Sequence, residues 1–290
     1  MFKKLNQKFN SLSTSAQILI LLAVVFIVRT WGFGLYQVPT GSMETTMLVG
    51  ERFFADKLTL HFRSIKRGEI ASFLEPLYPY SCNPIKNLKE RYIWGPSNWT
   101  KRVIGIPGDH VRGALEDGKP VVYLNEVKLD EPYVNKYPIT AVWRCPGMNN
   151  ENYEEMLRFS KPVGNIFEHR SFDPTVALDK QPFYCLQEKE LVKIPMVKSL
   201  LYPGTPLDSG KDVFDVHLGP KQYWMMGDNR LGSSDSREWG TLDESLIQGT
   251  IVFRIWSLDS NESWWIFDLI KHPIDFFKRV RWNRCMQRIS

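Results

Sequence analysis

Three short stretches carry residue types that could do acyl-transfer chemistry. In the first, Pro39-Thr40-Gly41-Ser42-Met43, a serine follows a glycine and a proline. Such a serine can sit on a tight turn with its hydroxyl exposed and backbone N–H groups pointing outward, as a nucleophile beside an oxyanion site requires. A plain linker would use the same residues. The second runs Lys101-Arg102-Val103-Ile104-Gly105-Ile106-Pro107-Gly108-Asp109, a lysine heading an apolar strand that closes in a turn. A lysine serving as a base near neutral pH must lose about 3 units from its usual pKa, which takes roughly 4 kcal/mol of differential desolvation. An edge-strand lysine facing water would look alike. The third stretch, Gly227-Asp228-Asn229-Arg230-Leu231-Gly232-Ser233-Ser234-Asp235-Ser236-Arg237-Glu238-Trp239-Gly240, packs turn formers, hydroxyls and an Asp–Arg pair between two β-like runs. It suits a buried loop that orients a catalytic group, or a solvated hairpin connection. Metal chemistry is not expected. Cys82, Cys145, Cys185 and Cys285 form no C-x-x-C pair, and the five histidines are scattered.

These stretches need an architecture to hold them. Lys3, Lys4 and Lys8 precede an apolar run from Ile18 to Val28; past Arg29 the apolar character continues to Tyr36. The span from Ala16 to Tyr36 is 21 residues, enough for a membrane helix if Arg29 snorkels to the interface. The alternative, a cleaved secretory signal, lacks a small-x-small site: bulky residues follow the run. The lysines place the N-terminus in the cytoplasm and the body outside. An exported body permits a disulfide, Cys145–Cys185 being the first pairing to consider.

From Gln37 onward the pattern is β. Short β-branched or alternating runs occur at 52–58, 69–73, 101–106, 121–124, 223–226 and 250–256, separated by Gly, Pro, Asn and Asp. The chain therefore reads as mainly β, one N-terminal transmembrane helix followed by an antiparallel β body, with residues 127–215 a second, looser domain or a long insertion. The expected divisions are a cytoplasmic segment at 1–15, the anchor at 16–36 and the catalytic body at 37–126 and 216–270. A proline-rich insertion covers 127–215, and a basic amphipathic end covers 271–290. Residues 75–98 are expected to protrude as a ribbon or loop. The end at 271–290 holds the whole net charge of +5, so no broad nucleic-acid surface is expected. Its aromatics Phe276, Phe277 and Trp282, with the apolar stretch from Trp256 to Trp265, suit a lipid surface; a solvated basic helix would serve equally.

Taken together, the three stretches in this order, with Arg67-Gly68-Glu69-Ile70 between the first two, resemble the type I signal peptidases, serine/lysine proteases that remove signal peptides from exported proteins. The resemblance covers roughly half the chain, with almost nothing from 127–215, and it implies an antiparallel β catalytic domain with a second, irregular β-rich inserted domain. It implies Ser42 as nucleophile and Lys101 as general base, with the Thr40 hydroxyl and the Ser42 backbone N–H as oxyanion hole. It further implies Ser233 orienting Lys101, and Asp235 paired with Arg237 to hold the loop. Val38, Met43, Thr100 and Val103 would wall the substrate pocket, although core packing explains the apolar three equally. No cofactor or metal is implied. Signal-peptide-bearing preproteins would bind as extended strands, and a monomer in contact with membrane lipid is expected. The location would be the bacterial cytoplasmic membrane, with the catalytic domain on the extracytoplasmic side. Two departures stand out. Glu44-Thr45-Thr46-Met47 replaces the usual x-Pro-Thr-Leu, and Thr100 replaces an apolar residue before the base, which leaves side-chain selection open. A dedicated processing peptidase for a few substrates, such as pilin-like subunits, would show the same motifs. A membrane-tethered β scaffold would have no need to keep all three of Ser42, Lys101 and Ser233.

Overall fold

An apolar run without nearby partners becomes a helix because only a helix satisfies every backbone group within one segment. In a computed structural model, which describes residues 9–137, 139–143, 167–171, 173, 175, 209–258, 265–271 and 273–289, that run is the helix Thr14–Ile27. Ser13 caps it by accepting from the Ala16 N–H. One π-helical turn, Val28–Gly32, extends it. The resulting 19 residues are long and apolar enough to cross a membrane. The expected helix over 16–36 ends early, at Gly32. The Gly32 carbonyl accepts from the N–H groups of Lys57 and Leu58 at 3.0 and 2.9 Å, and the chain departs as strand β1, Phe33–Gln37. Residues 33–36 thus gain a ladder that a helix could not offer them.

The large sheet takes the strands Arg52–Asp56 (β2), Ile70–Leu74 (β3) and Asn98–Gly105 (β4) from the first half of the chain. A smaller antiparallel sheet follows with His110–Glu116 (β5), Lys119–Leu124 (β6) and Val127–Lys128 (β7). Ile139–Trp143 (β8) and Phe167–Ser171 (β9) form a two-stranded ribbon. Phe214–His217 (β10) then returns to pair with β5. Gln222–Met226 (β11), Leu242–Asp243 (β12), Ile247–Trp256 (β13) and Gln287–Arg288 (β14) complete the large sheet. Its order is β1-β2-β13-β3-β4-β11-β12, with β14 beside β13. The division expected at 126/127 falls within the smaller sheet, between β6 and β7.

Alternation decides which side chains face inward: in β2, Phe53 and Ala55 are buried while their neighbours are half-exposed. β3 is buried throughout, as suits a strand covered on both faces. One apolar cluster joins Phe73, Val103, Tyr223, Met225 and Leu242. A second joins Val38, Met43, Met47, Phe53, Ile70 and Ile251 beneath the Ser42 turn. A third, containing Ile104, Met226, Val111 and Val122, packs the smaller sheet on the larger. The Pro107-Gly108-Asp109 turn links the two sheets, with Gly108 at φ 89°, a conformation that favours glycine. Asp109 fixes this turn by accepting from Arg67, Asn125 and the Ile106 N–H.

Within 75–98, expected as a loop or ribbon, lies a helix, Pro84–Tyr92. Its start signals are local: Asn83 accepts from the N–H groups of Ile85 and Lys86, and Pro84 occupies the first turn. At the C-terminal end, the helices Trp265–Lys271 and Pro273–Arg279 precede β14. Phe276 is core there, packed with Leu258 and Val280, whereas Phe277 and Trp282 are exposed. Cys82 and Cys285 are free thiols; Cys145 and Cys185 lie outside the described residues.

Candidate active site

Ser42 sits in a single 3-10 turn, Gly41–Met43, directly after β1. The turn closes through the Glu44 N–H to the Gly41 carbonyl at 3.1 Å and rests on Met43 and Met47 in the core. The loop after β11 grips it from the other side. Asn229 donates its backbone N–H to the Ser42 carbonyl at 3.1 Å and its side-chain amide to the Gly41 carbonyl at 3.0 Å. Next to it, buried Asp228 accepts from Arg102 at 2.9 and 2.8 Å and from the Thr46 hydroxyl at 2.5 Å. Two buried charges cost little only when paired and hydrogen-bonded on all sides, and Asp228 meets that condition.

Lys101 projects from β4 opposite Ala71 of β3, one residue before the pairing with β11 begins at Arg102, yet it is buried and does not face water. The residue is 5 % exposed, and its Nζ reaches the Ser42 hydroxyl at 2.8 Å. Burial pushes the Lys101 pKa down to about 8, against the opposing pull of Asp235 and Asp228. A neutral amine at that distance can accept the serine proton directly. Thr40 points its hydroxyl toward the same oxygen at 3.5 Å. Asp235 is fully buried and takes two hydrogen bonds from the Arg237 guanidinium and one from the Gly227 N–H. Burial alone would raise its carboxyl; Arg237 and the other partners hold it below the usual range. Asp212 adds a second acceptor for Arg237 at 2.7 Å.

Ser233 is brought close but not into contact. Its hydroxyl is buried without a hydrogen-bond partner among the described residues. It lines the same cleft as Ser42 and Lys101, a hollow of about 890 Å³ that also touches Val38, Met43 and Thr100. Val103 does not reach this cleft: it shares the face of β4 that carries Lys101 but is fully buried in the cluster around Phe73. Glu44 is fully buried and accepts from the Ser171 N–H at 2.6 Å, tying β9 to the Ser42 turn. Sequence reasoning gave no role to Asp228, Asn229, Arg102 or Glu44. The first two stand inside the third motif, so a signal was present, but only the fold reveals that they hold the serine turn.

The family model described as signal peptidase, peptidase S26, matches residues 11–256 of the chain. A signal peptidase I of Buchnera aphidicola subsp. Acyrthosiphon pisum is 25% identical over 91% of this chain and 81% of its own length. A signal peptidase I of Aquifex aeolicus is 27% identical over 80% of this chain and 78% of its own. A solved signal peptidase I from Enterococcus faecalis V583 superposes with a TM-score of 0.28 and 16% identity, over 65% of this chain and 97% of that one.

Proposed function

The chain belongs to the signal peptidase family, peptidase S26, and from that membership we propose that it cleaves signal peptides from preproteins through Ser42 and Lys101. The observation that carries the reading is the 2.8 Å contact between a buried lysine amine and a buried serine hydroxyl. Ser42 Oγ attacks the scissile carbonyl while Lys101 Nζ takes its proton. The tetrahedral oxyanion is met by the Ser42 N–H and the Thr40 hydroxyl; removing one such donor typically costs on the order of 10²–10³ in rate. Collapse expels the amine of the mature protein, which receives the proton back from Lys101. Water then attacks the acyl-enzyme with Lys101 again as base. Asp235, Arg237 and Ser233 shape the pocket around the amine.

The substrate strand has a place to pair. Residues Asn98–Lys101 of β4 are bonded to β3 on one side, while β11 begins its pairing only at Arg102. Their other side faces the cleft, where an extended peptide would add as a strand and set alternate side chains into shallow pockets. The apolar helix anchors the protein with its lysine-rich N-terminus in the cytoplasm and the sheets on the far side. Exposed Ile270, Ile274, Phe277 and Trp282 add a lipid-facing patch at the C-terminal end.

The test uses the full chain in detergent with a secretory preprotein bearing an Ala-x-Ala site. Cleavage at that site by the parent, and none by Ser42→Ala or Lys101→Ala, is expected. Intact precursors after incubation with folded parent would sink the general role. Parent-rate cleavage by Lys101→Ala would sink the dyad.

A further inference from the structure

The histidines are scattered in sequence, but strand pairing gathers two of them far from the Ser42 cleft. In the β5–β10 ladder His110 stands opposite His217, and Asp215 stands opposite Arg112. Directly paired residues and their i+2 neighbours share one face of a sheet, so His110, Asp215 and His217 project together. The two imidazoles stack with centroids 3.9 Å apart and an interplanar angle of 12°. One nitrogen from each histidine and one Asp215 oxygen all lie within 4.8 Å of one another.

His110 is held as metal-binding histidines are. Asn125 grips its backbone on both sides, accepting from the His110 N–H at 2.9 Å and donating its own N–H to the His110 carbonyl at 2.8 Å. Its Nδ1 lies 2.7 Å from Glu126 and its Nε2 2.6 Å from Asp215, so a metal ion at Nε2 would take the place of the proton shared with Asp215. A carboxylate behind the distal nitrogen fixes the tautomer and ring angle of a metal-ligating histidine. A simple His110 ion pair with its two carboxylates would leave His217 without a task. The ring nitrogens of His217 have no hydrogen-bond partner among the described residues. Its stacking instead brings a second imidazole beside Asp215.

We propose that His110, Asp215 and His217 form a three-ligand site for a divalent transition metal, with Zn²⁺ the best match, and that Glu126 orients His110 within it. Imidazole and carboxylate donors suit Zn²⁺, and ligand distances of about 2.0–2.2 Å put donor atoms roughly 3.3 Å apart. Asp215 and His217 are exposed and free to turn; since two stacked rings cannot both aim an in-plane nitrogen at one ion, His217 swings out of its stacked position to bind, and water fills the fourth position. The site staples β10 to β5 where the chain returns from residues 129–213. Its role is structural, separate from the proteolysis proposed above.

The full chain, in detergent and free of any affinity tag, is titrated with Zn²⁺ by calorimetry beside His217→Ala and Asp215→Asn. One equivalent is expected to bind the parent, with affinity lower by about tenfold or more in each variant. Zn²⁺ should raise the melting temperature of the parent and not that of His217→Ala. All three proteins carry the same cysteines, so zinc held by thiols cancels in the comparison. Equal affinity in parent and His217→Ala, or no stoichiometric binding up to about 0.1 mM, would overturn the proposal. Preprotein cleavage by His217→Ala should match the parent, which keeps this result distinct from the test of the dyad.

Discussion

A protonated lysine cannot take a proton, so what Lys101 can do depends on its surroundings. Two of its neighbours come from separated parts of the chain, Ala71 across the ladder and Ser42 at its tip; a third, the Trp99 ring of the same strand, lies 5.9 Å from its nitrogen. The sequence shows a lysine at the start of a strand and cannot show which side that strand presents, because burial is decided by β3, the Ser42 turn and the loop after β11. With the pKa down to about 8, kcat/KM for preprotein cleavage is expected to rise about tenfold per pH unit below that value and level off above it. A profile flat from pH 6 to 9 would contradict a lysine base. The same shift has a stability consequence. Between about 8 and 10.5 the folded protein binds fewer protons at this site than the unfolded chain does, so its stability rises with pH there. At pH 7 the buried charge costs on the order of 3 kcal/mol. Lys101→Met should therefore melt higher than the parent at pH 7, with the gap shrinking toward pH 10, even though it abolishes cleavage.

The loop between β11 and β12 shows how one element positions another. Its motif was legible as a string of turn residues, and the strands flanking it were legible from their alternation. That the loop folds against Ser42, some 190 positions upstream in sequence, was not. Long-range contact leaves no trace in local periodicity. The misread elements have local causes: Asn83 and Pro84 are a helix start inside a stretch read only as a connection between two strands, and Gly32 ends the anchor where β2 offers a ladder. Gly227 measures how tightly loop and turn fit. A Cβ there would stand 2.6 Å from the Ser42 carbonyl oxygen and 2.2 Å from the Ser233 hydroxyl, closer than non-bonded atoms approach. Gly227→Ala is expected to push the loop off the turn and lower kcat by about tenfold or more, since misplacement by about 1 Å can cost as much as 10². Arg237→Ala strands the fully buried Asp235 and should cost about 3–5 kcal/mol, read by denaturant unfolding. If Gly227→Ala cleaves at the parent rate, the loop does not set the geometry of Ser42.

At the scale of the whole molecule, the C-terminal end returns to support the site. The sequence presents residues 271–290 as a block of positive charge, and a block of charge suggests a surface. One of those cations is instead spent internally. Arg284 donates to the fully buried Glu51 at 2.7 Å and to the carbonyls of Thr45 and Thr46 at 3.3 and 3.1 Å. Glu51 also accepts from Arg254, Ser257 and the Leu48 N–H, and Arg254 donates to the Thr46 carbonyl at 2.5 Å. The segment following Ser42 is thus held by two arginines, from β13 and from the chain's end, that share one carboxylate. Members of such a network act together, because removing one arginine leaves the carboxylate partly unpaired rather than the site simply weaker by one contact. Arg284→Ala should lower stability by roughly 1–3 kcal/mol and reduce kcat more than it changes KM, since it loosens residues 45–46 without touching the cleft walls. A double-mutant cycle with Glu51→Gln separates this from a general loss of charge. Coupling of about 1 kcal/mol or more between the two is expected. Additive effects, or a kcat unchanged in Arg284→Ala, would mean that the C-terminal end merely covers the sheet and does not brace the serine turn.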